Sequence, residues 1–82
     1  MNFELYQRVA LNRDLPEYEL KKGDVATLID FVPHPANNEE GCVLEVFSAT
    51  GESIAVVIVP ISDIKLLRKD EVLSVRSLVE IY

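Results

Sequence analysis

The sequence predicts a small, mainly β domain whose five short strands curl into a barrel. Runs rich in valine, isoleucine and phenylalanine, such as VATLIDFV, CVLEVFS and SIAVVIV, have the composition of strands. Clusters of Gly, Pro, Asn and Asp separate them. The chain of 82 residues has room for one domain, and a domain of this size buries only roughly 60–65% of the surface its unfolded chain exposes. With 49% apolar and 27% charged residues and no repeat or low-complexity tract, the composition is that of a folded protein.

LYQRVAL, residues 5–11, is the first expected strand, ending at the turn-forming Asn12-Arg13-Asp14. A long loop begins at Leu15. There Pro16 fixes its own φ and disfavours helical backbone at Leu15, while Lys22-Gly23-Asp24 supplies the positive-φ position of a tight turn. VATLIDFV is the second strand, stopped by the loop PHPANNEEG. In CVLEVFS, Cys42, Leu44 and Val46 share one face and Val43, Glu45 and Phe47 the other, with the glutamate marking the solvent side. Ala49-Thr50-Gly51-Glu52 is a short hairpin connection with Gly51 at the left-handed position, and SIAVVIV follows as the fourth strand, ending at Pro60. ISDI is too short for an α-helix and suits one 3₁₀ turn, with Ser62 or Asp63 bonding free amides, before KLL closes the set.

Five short strands, a long first loop and a 3₁₀ turn before the last strand describe an SH3-like barrel over residues 1–67, with 68–82 as a C-terminal extension. Leu20, Val25, Leu44, Val46, Val57 and Val59 are expected to be buried in it. The pattern VAL, then DLPEYELKKGDVATLID, then LEVFSATGESIAVVIVPISDIKLL resembles the bacterial family of domains of unknown function numbered 4926. The positions that carry the resemblance are Val9, Leu11, Leu15, Pro16, Leu20, Gly23, Asp24, Thr27, Gly51, Ala55, Val56, Val57, Asp63 and Leu67. Ala26 stands where that family commonly has glycine, the loop PHPANNEEG is elongated, and the tail beyond Arg68 lies outside the pattern. The resemblance implies a small SH3-like barrel and no activity, so the long loop reads as scaffold, with Leu15 and Leu20 plugging the barrel.

Eight basic against fourteen acidic residues give a net charge of −6. That is the wrong sign for a protein that wraps phosphate, and basic residues are not interleaved with aromatics, so nucleic acid is disfavoured. Lys21, Lys22, Lys65, Arg68 and Lys69 are the one local basic group. A single cysteine, Cys42, excludes an intramolecular disulfide scaffold. The N-terminus lacks a basic segment followed by an apolar stretch, and IAVVIVPI is too short to span a bilayer, so a cytoplasmic protein without membrane contact is expected.

No reactive constellation stands out, and neither an enzyme nor a cofactor is expected. His34 with Glu39, Glu40 and Cys42 lacks the spaced ligand pairs of a structural zinc site, because no second histidine or cysteine exists. Cys42 has no base but His34 and belongs to the inward phase of its strand, so it reads as a buried inert thiol. The carboxylate pairs Asp14 with Glu17 and Glu39 with Glu40 lack an enclosed pocket, and GDVAT and TGES are not phosphate loops.

The informative anomaly is SIAVVIV. If Ala55, Val57 and Val59 point inward, then Ile54, Val56 and Ile58 point outward beside Val43 and Phe47, where polar residues belong. Such a face exceeds what monomers ordinarily leave bare, so Phe47, Ile54, Val56 and Ile58 are the candidate binding residues. Its cover is the tail, a second copy or a foreign protein. Val72, Val75, Val79 and Tyr82 fall near helical spacing after a possible cap at Asp70, whereas a strand would align Leu73, Val75, Val79 and Ile81. The functional expectation is a non-catalytic protein-binding module, of the kind an immunity or antitoxin protein presents to a basic partner. The alternative is a structural accessory or self-associating subunit, and a nucleic-acid-binding small barrel is the third.

Overall fold

The computed structural model describes residues 3–33 and 39–78. Five antiparallel strands form one sheet: β1 (Arg8–Leu11), β2 (Val25–Val32), β3 (Gly41–Phe47), β4 (Ser53–Pro60) and β5 (Ile64–Leu66), in the order β4-β3-β2-β1-β5. The mainly β class and the strand count are those the sequence predicts. Among the described residues no ladder joins β4 to β5, so the hydrogen-bonded sheet is open at these two edges.

The sheet nevertheless curls. Flat, its edge strands would lie four spacings apart, about 19 Å. The chain passes from Pro60 on one edge to Ile64 on the other through the 3₁₀ turn Ile61–Asp63, and four Cα steps reach at most about 15 Å. Val57 and Val59 of β4 accordingly share one buried cluster with Val9 and Leu11 of β1 and Ile64 of β5. Register shifts at Leu28/Asp30 and at Val46/Phe47 are the bulges that accommodate the bend.

Asn12 fastens the connector. Its amide donates to the Asp63 carbonyl (2.7 Å), and its side-chain Nδ2 donates to the carbonyls of Ser62 (3.1 Å) and Ile64 (3.0 Å). Arg13 Nε adds a contact to the buried Asp63 carboxylate at 2.9 Å. Contrary to the capping expectation, neither Ser62 nor Asp63 bonds the free amides of this turn; Glu39 Oε2 accepts from the Ser62 amide at 2.9 Å instead.

The long loop folds onto the cluster. Leu15 and Leu20 are both buried and exchange backbone hydrogen bonds (2.9 and 3.1 Å), pinching off a second 3₁₀ turn, Pro16–Tyr18, that opens on the proline. Gly23 at φ 94° and Gly51 at φ 90° occupy the positive-φ positions expected of them. Glu19 adopts φ 60° as the left-handed end of the 3₁₀ turn, which the sequence does not announce.

Leu20, Leu44, Val46, Val57 and Val59 are buried as expected, but Val25 is only partly so. It pairs with Ala10 on the outward side of the sheet, whereas its neighbours Ala26 and Leu28 supply the inner face. The first strand is also shorter than expected, since Gln7 turns back onto Glu4 (N to O 3.2 Å) and Tyr6 takes φ 66°.

The expected helical extension is not found. From Leu67 to Leu78 the chain is neither helix nor strand; Val79 and Tyr82 lie outside the described residues. An isolated short helix is marginal without a packing face, and here charged anchors hold the segment open. Glu71 accepts from Lys65 Nζ at 2.8 Å, and Arg76 reaches Asp24.

Val57→Asp places an unpaired charge in the innermost layer, at a cost of several kcal/mol against a total stability of about 5–10 kcal/mol. We expect its circular dichroism melt to lose the cooperative transition, and a melt within a few degrees of the parent would contradict the register. Cys42 is fully buried, its Sγ lies 3.5 Å from the Val59 carbonyl, and burial together with the charges of Asp63, Glu40 and Glu39 pushes its thiol up to about 11. The folded protein should therefore resist a thiol reagent at neutral pH and react fully once denatured. Modification of the folded chain at the rate of a free thiol would show that the site opens.

Candidate functional site

The outward face of the β3–β4 hairpin follows from the pleat. With Leu44, Val46, Val57 and Val59 turned in, alternation turns Val43, Glu45, Val56 and Ile58 out. The ladder aligns them in rows: Val43 opposite Ile58, and Glu45 opposite Val56. The shift beside Phe47 pairs it with Ser53 and leaves Ile54 as the extra residue of the bulge. Phe47, Ile54, Val56 and Ile58 stay 43, 42, 57 and 58% exposed, so nothing among the described residues covers them.

Acidic groups border this apolar strip. Glu45 lies within it, and Asp30 on β2 extends the row of Val43 and Ile58. Glu52 sits in the hairpin turn, where its amide donates to Ser48 Oγ at 3.1 Å and its carbonyl accepts from the Ser48 amide at 2.7 Å. Among the described residues β4 has β3 as its one neighbour, and it carries no charged side chain from Ser53 to Pro60, an edge without the usual charged protection. The Ile61 amide donates to Glu40 at the end of β3, so alternation directs the amides of Val57 and Val59 to β3 and those of Val56 and Ile58 to the free edge.

The tail does not lie on this strip as far as Leu78. It is anchored at the other end of the sheet, where Lys65, Ala10 and Val25 are neighbours on β5, β1 and β2. Glu71 binds Lys65 on one side, Arg76 binds Asp24 on the other, and Ala10 between them is 2% exposed although it is no part of the inner cluster.

The Asp24 site was not legible locally, because its two halves are 52 residues apart. Arg76 Nε donates to Asp24 Oδ1 at 2.9 Å, and one terminal nitrogen donates to Asp24 Oδ2 and to the Glu19 carbonyl (3.1 Å). The other donates to its own tail, at the Ser77 (2.9 Å) and Leu78 (3.4 Å) carbonyls. The Lys21 amide also donates to Asp24 Oδ2, at 2.8 Å. Partial burial would raise the Asp24 pKa, but the hydrogen bonds from Arg76 and the Lys21 amide outweigh it and hold the carboxyl below its ordinary range.

The other candidates resolve into scaffold. Asp14 Oδ1 accepts from the Lys22 amide (2.8 Å), Glu39 caps Ser62, and among the described residues no three His, Cys, Asp or Glu gather as metal ligands. His34 lies outside the described residues. Of the basic group, Lys65 and Arg68 are each paired with a carboxylate. No helix among the described residues is long and apolar enough to cross a membrane.

Because the folded-state pKa of Asp24 is depressed, its ion pair contributes stability above the unfolded carboxylate pKa and loses it as pH falls through the folded value. Arg76→Ala should therefore melt lower than the parent at neutral pH, and the gap should close in acid. A gap that persists unchanged below the folded pKa would assign the loss to packing.

No curated protein and no solved structure matches the chain. A family model, Domain of unknown function (DUF4926), matches residues 5–66, which span all five strands and both 3₁₀ turns and include Asp24 and the β3–β4 face, while Arg76 falls outside. The chain belongs to that family of domains of unknown function.

Proposed function

We propose that this domain is a non-catalytic protein-binding module that docks a basic protein on its β3–β4 face. The bare strip of Phe47, Ile54, Val56 and Ile58 is the observation that carries the reading. Apolar burial contributes roughly 25 cal/mol per Å², so covering about 300 Å² offers about 7 kcal/mol before ordering costs. A net charge of −6, with Asp30, Glu45 and Glu52 beside the strip, favours a cationic partner and fast encounter. An acidic binder of this kind acts as an immunity or antitoxin protein does, by occupying its partner, and a cytoplasmic location suits it. The uncharged free edge of β4 supports a second reading, self-association through the same strands.

Ile54→Ser with Ile58→Ser removes the apolar surface from exposed positions and should leave the fold intact. On the first reading the parent protein is monomeric in sedimentation and retains one stoichiometric basic partner from its native host, which the double variant releases. On the second, the parent is a dimer and the variant a monomer. If parent and variant match in assembly and in bound partner, the strip has no docking role.

A further inference from the structure

We propose that Asp24 and the Glu19 carbonyl form a guanidinium-binding site, filled in cis by Arg76 and, in the bound state, by an arginine of a basic partner protein. The site shares no residue with the β3–β4 face, so it stands independently of the docking role given to that face.

The five N–H donors of Arg76 all find acceptors, three of them on the domain and two on the tail itself. The three on the domain match a planar fork: both carboxylate oxygens of Asp24 bidentately, and the Glu19 carbonyl beside them. An ammonium group cannot make that pattern, because its donors diverge from one nitrogen. The receptor is built by the loop. Glu19 takes the left-handed conformation that ends the 3₁₀ turn, an uncommon backbone for a non-glycine residue, and its carbonyl is the one that accepts from Arg76. The Lys21 amide fixes the Asp24 carboxylate.

Receptor and occupant lie on either side of the end of the family match. Glu19 and Asp24 lie inside the region shared with the family, and Arg76 lies ten residues beyond its end at residue 66. The tail that carries Arg76 has little else to hold it. As far as Leu78 it has neither helix nor strand, Val72 and Val75 are 92 and 87% exposed, and among the described residues the pairs Glu71–Lys65 and Arg76–Asp24 tie it to the sheet. The side chains of these pairs all keep contact with water, from 20% exposed at Asp24 to 40% at Lys65, so a competing group in solution can reach them. Tethering keeps Arg76 at high local concentration, which suits a competitor that an arginine-bearing surface displaces. The net charge of −6 favours that exchange with a cationic protein.

The test uses full-length parent, Arg76→Ala and Arg76→Lys, titrated with acetyl-arginine amide and acetyl-lysine amide while the Lys21, Gly23 and Asp24 amides are followed by NMR. Removing the tethered competitor should strengthen the response to the arginine probe by roughly fivefold or more, in both variants, while the lysine probe leaves these amides unmoved. Asp24→Asn in the Arg76→Ala background should abolish the response. An Arg76→Ala protein that responds as the parent does, or that responds equally to the two probes, overturns the proposal. So does an Arg76→Lys protein that stays closed to the arginine probe, since charge alone would then fill the site. The comparison of probes on Arg76→Ala is decisive even if the Asp24 variant fails to fold, which the same spectra report.

Discussion

Three residues, Ile61–Asp63, connect the two edges of the sheet, and the rest of the structure depends on how little chain that is. Too short to cross a flat five-stranded sheet, the connector forces the strands to curl until β4 and β5 approach over a common interior. The bulges in β2 and at the β3–β4 hairpin are where the curl is absorbed, and Asn12 with Arg13 holds the connector against the end of β1. Only once the sheet is bent can Val9, Leu28, Leu44 and Val57 meet in one cluster, which the bridged Leu15 and Leu20 of the long loop join.

This economy sharpens the meaning of the β3–β4 face. A strand at the edge of a curled sheet needs apolar residues on its inner side, and Val57 and Val59 meet that need. Ile54, Val56 and Ile58 on the other side contribute nothing to the interior, so folding alone gives no reason for three aliphatic residues there rather than threonines, which are β-branched as well and suit a strand equally. The edge itself is guarded at its ends. Pro60 offers no amide and the bulge at Ile54 breaks the register, which shortens any strand that could be added. The apolar surface therefore lies on the broad face and not along the edge.

Period and punctuation made most of the fold legible. The alternation in CVLEVFS and SIAVVIV assigned inner and outer residues correctly because these strands pair along most of their length and each has one face in the core. Val25 escaped because a strand start with apolar residues in both phases does not declare which faces inward, and here Ala26 does. The tail escaped for a related reason. Valines near helical spacing resemble an amphipathic helix, but as far as Leu78 the tail does not reach the apolar β3–β4 face, and ion pairs at the other end of the sheet set its path instead. Asp24 has the sequence context of a turn residue, which it is, since it accepts from the Lys21 amide; its second partner is invisible to any local pattern.

That double role bears on why the residue is an aspartate. Closing the Lys21–Asp24 turn takes one side-chain oxygen, and an asparagine supplies one equally well. A second acceptor oxygen and a negative charge serve the turn in no further way. Both are engaged by Arg76, with the Glu19 carbonyl completing the fork from a backbone conformation that most residues avoid. The loop thus carries two independent features, a carboxylate beyond the needs of its turn and a left-handed glutamate, that converge on one guanidinium. The left-handed glutamate also ends the turn that brings Leu20 back to Leu15, so the loop's scaffold role accounts for its leucines, its proline and that backbone, and leaves the second carboxylate oxygen of Asp24 to Arg76.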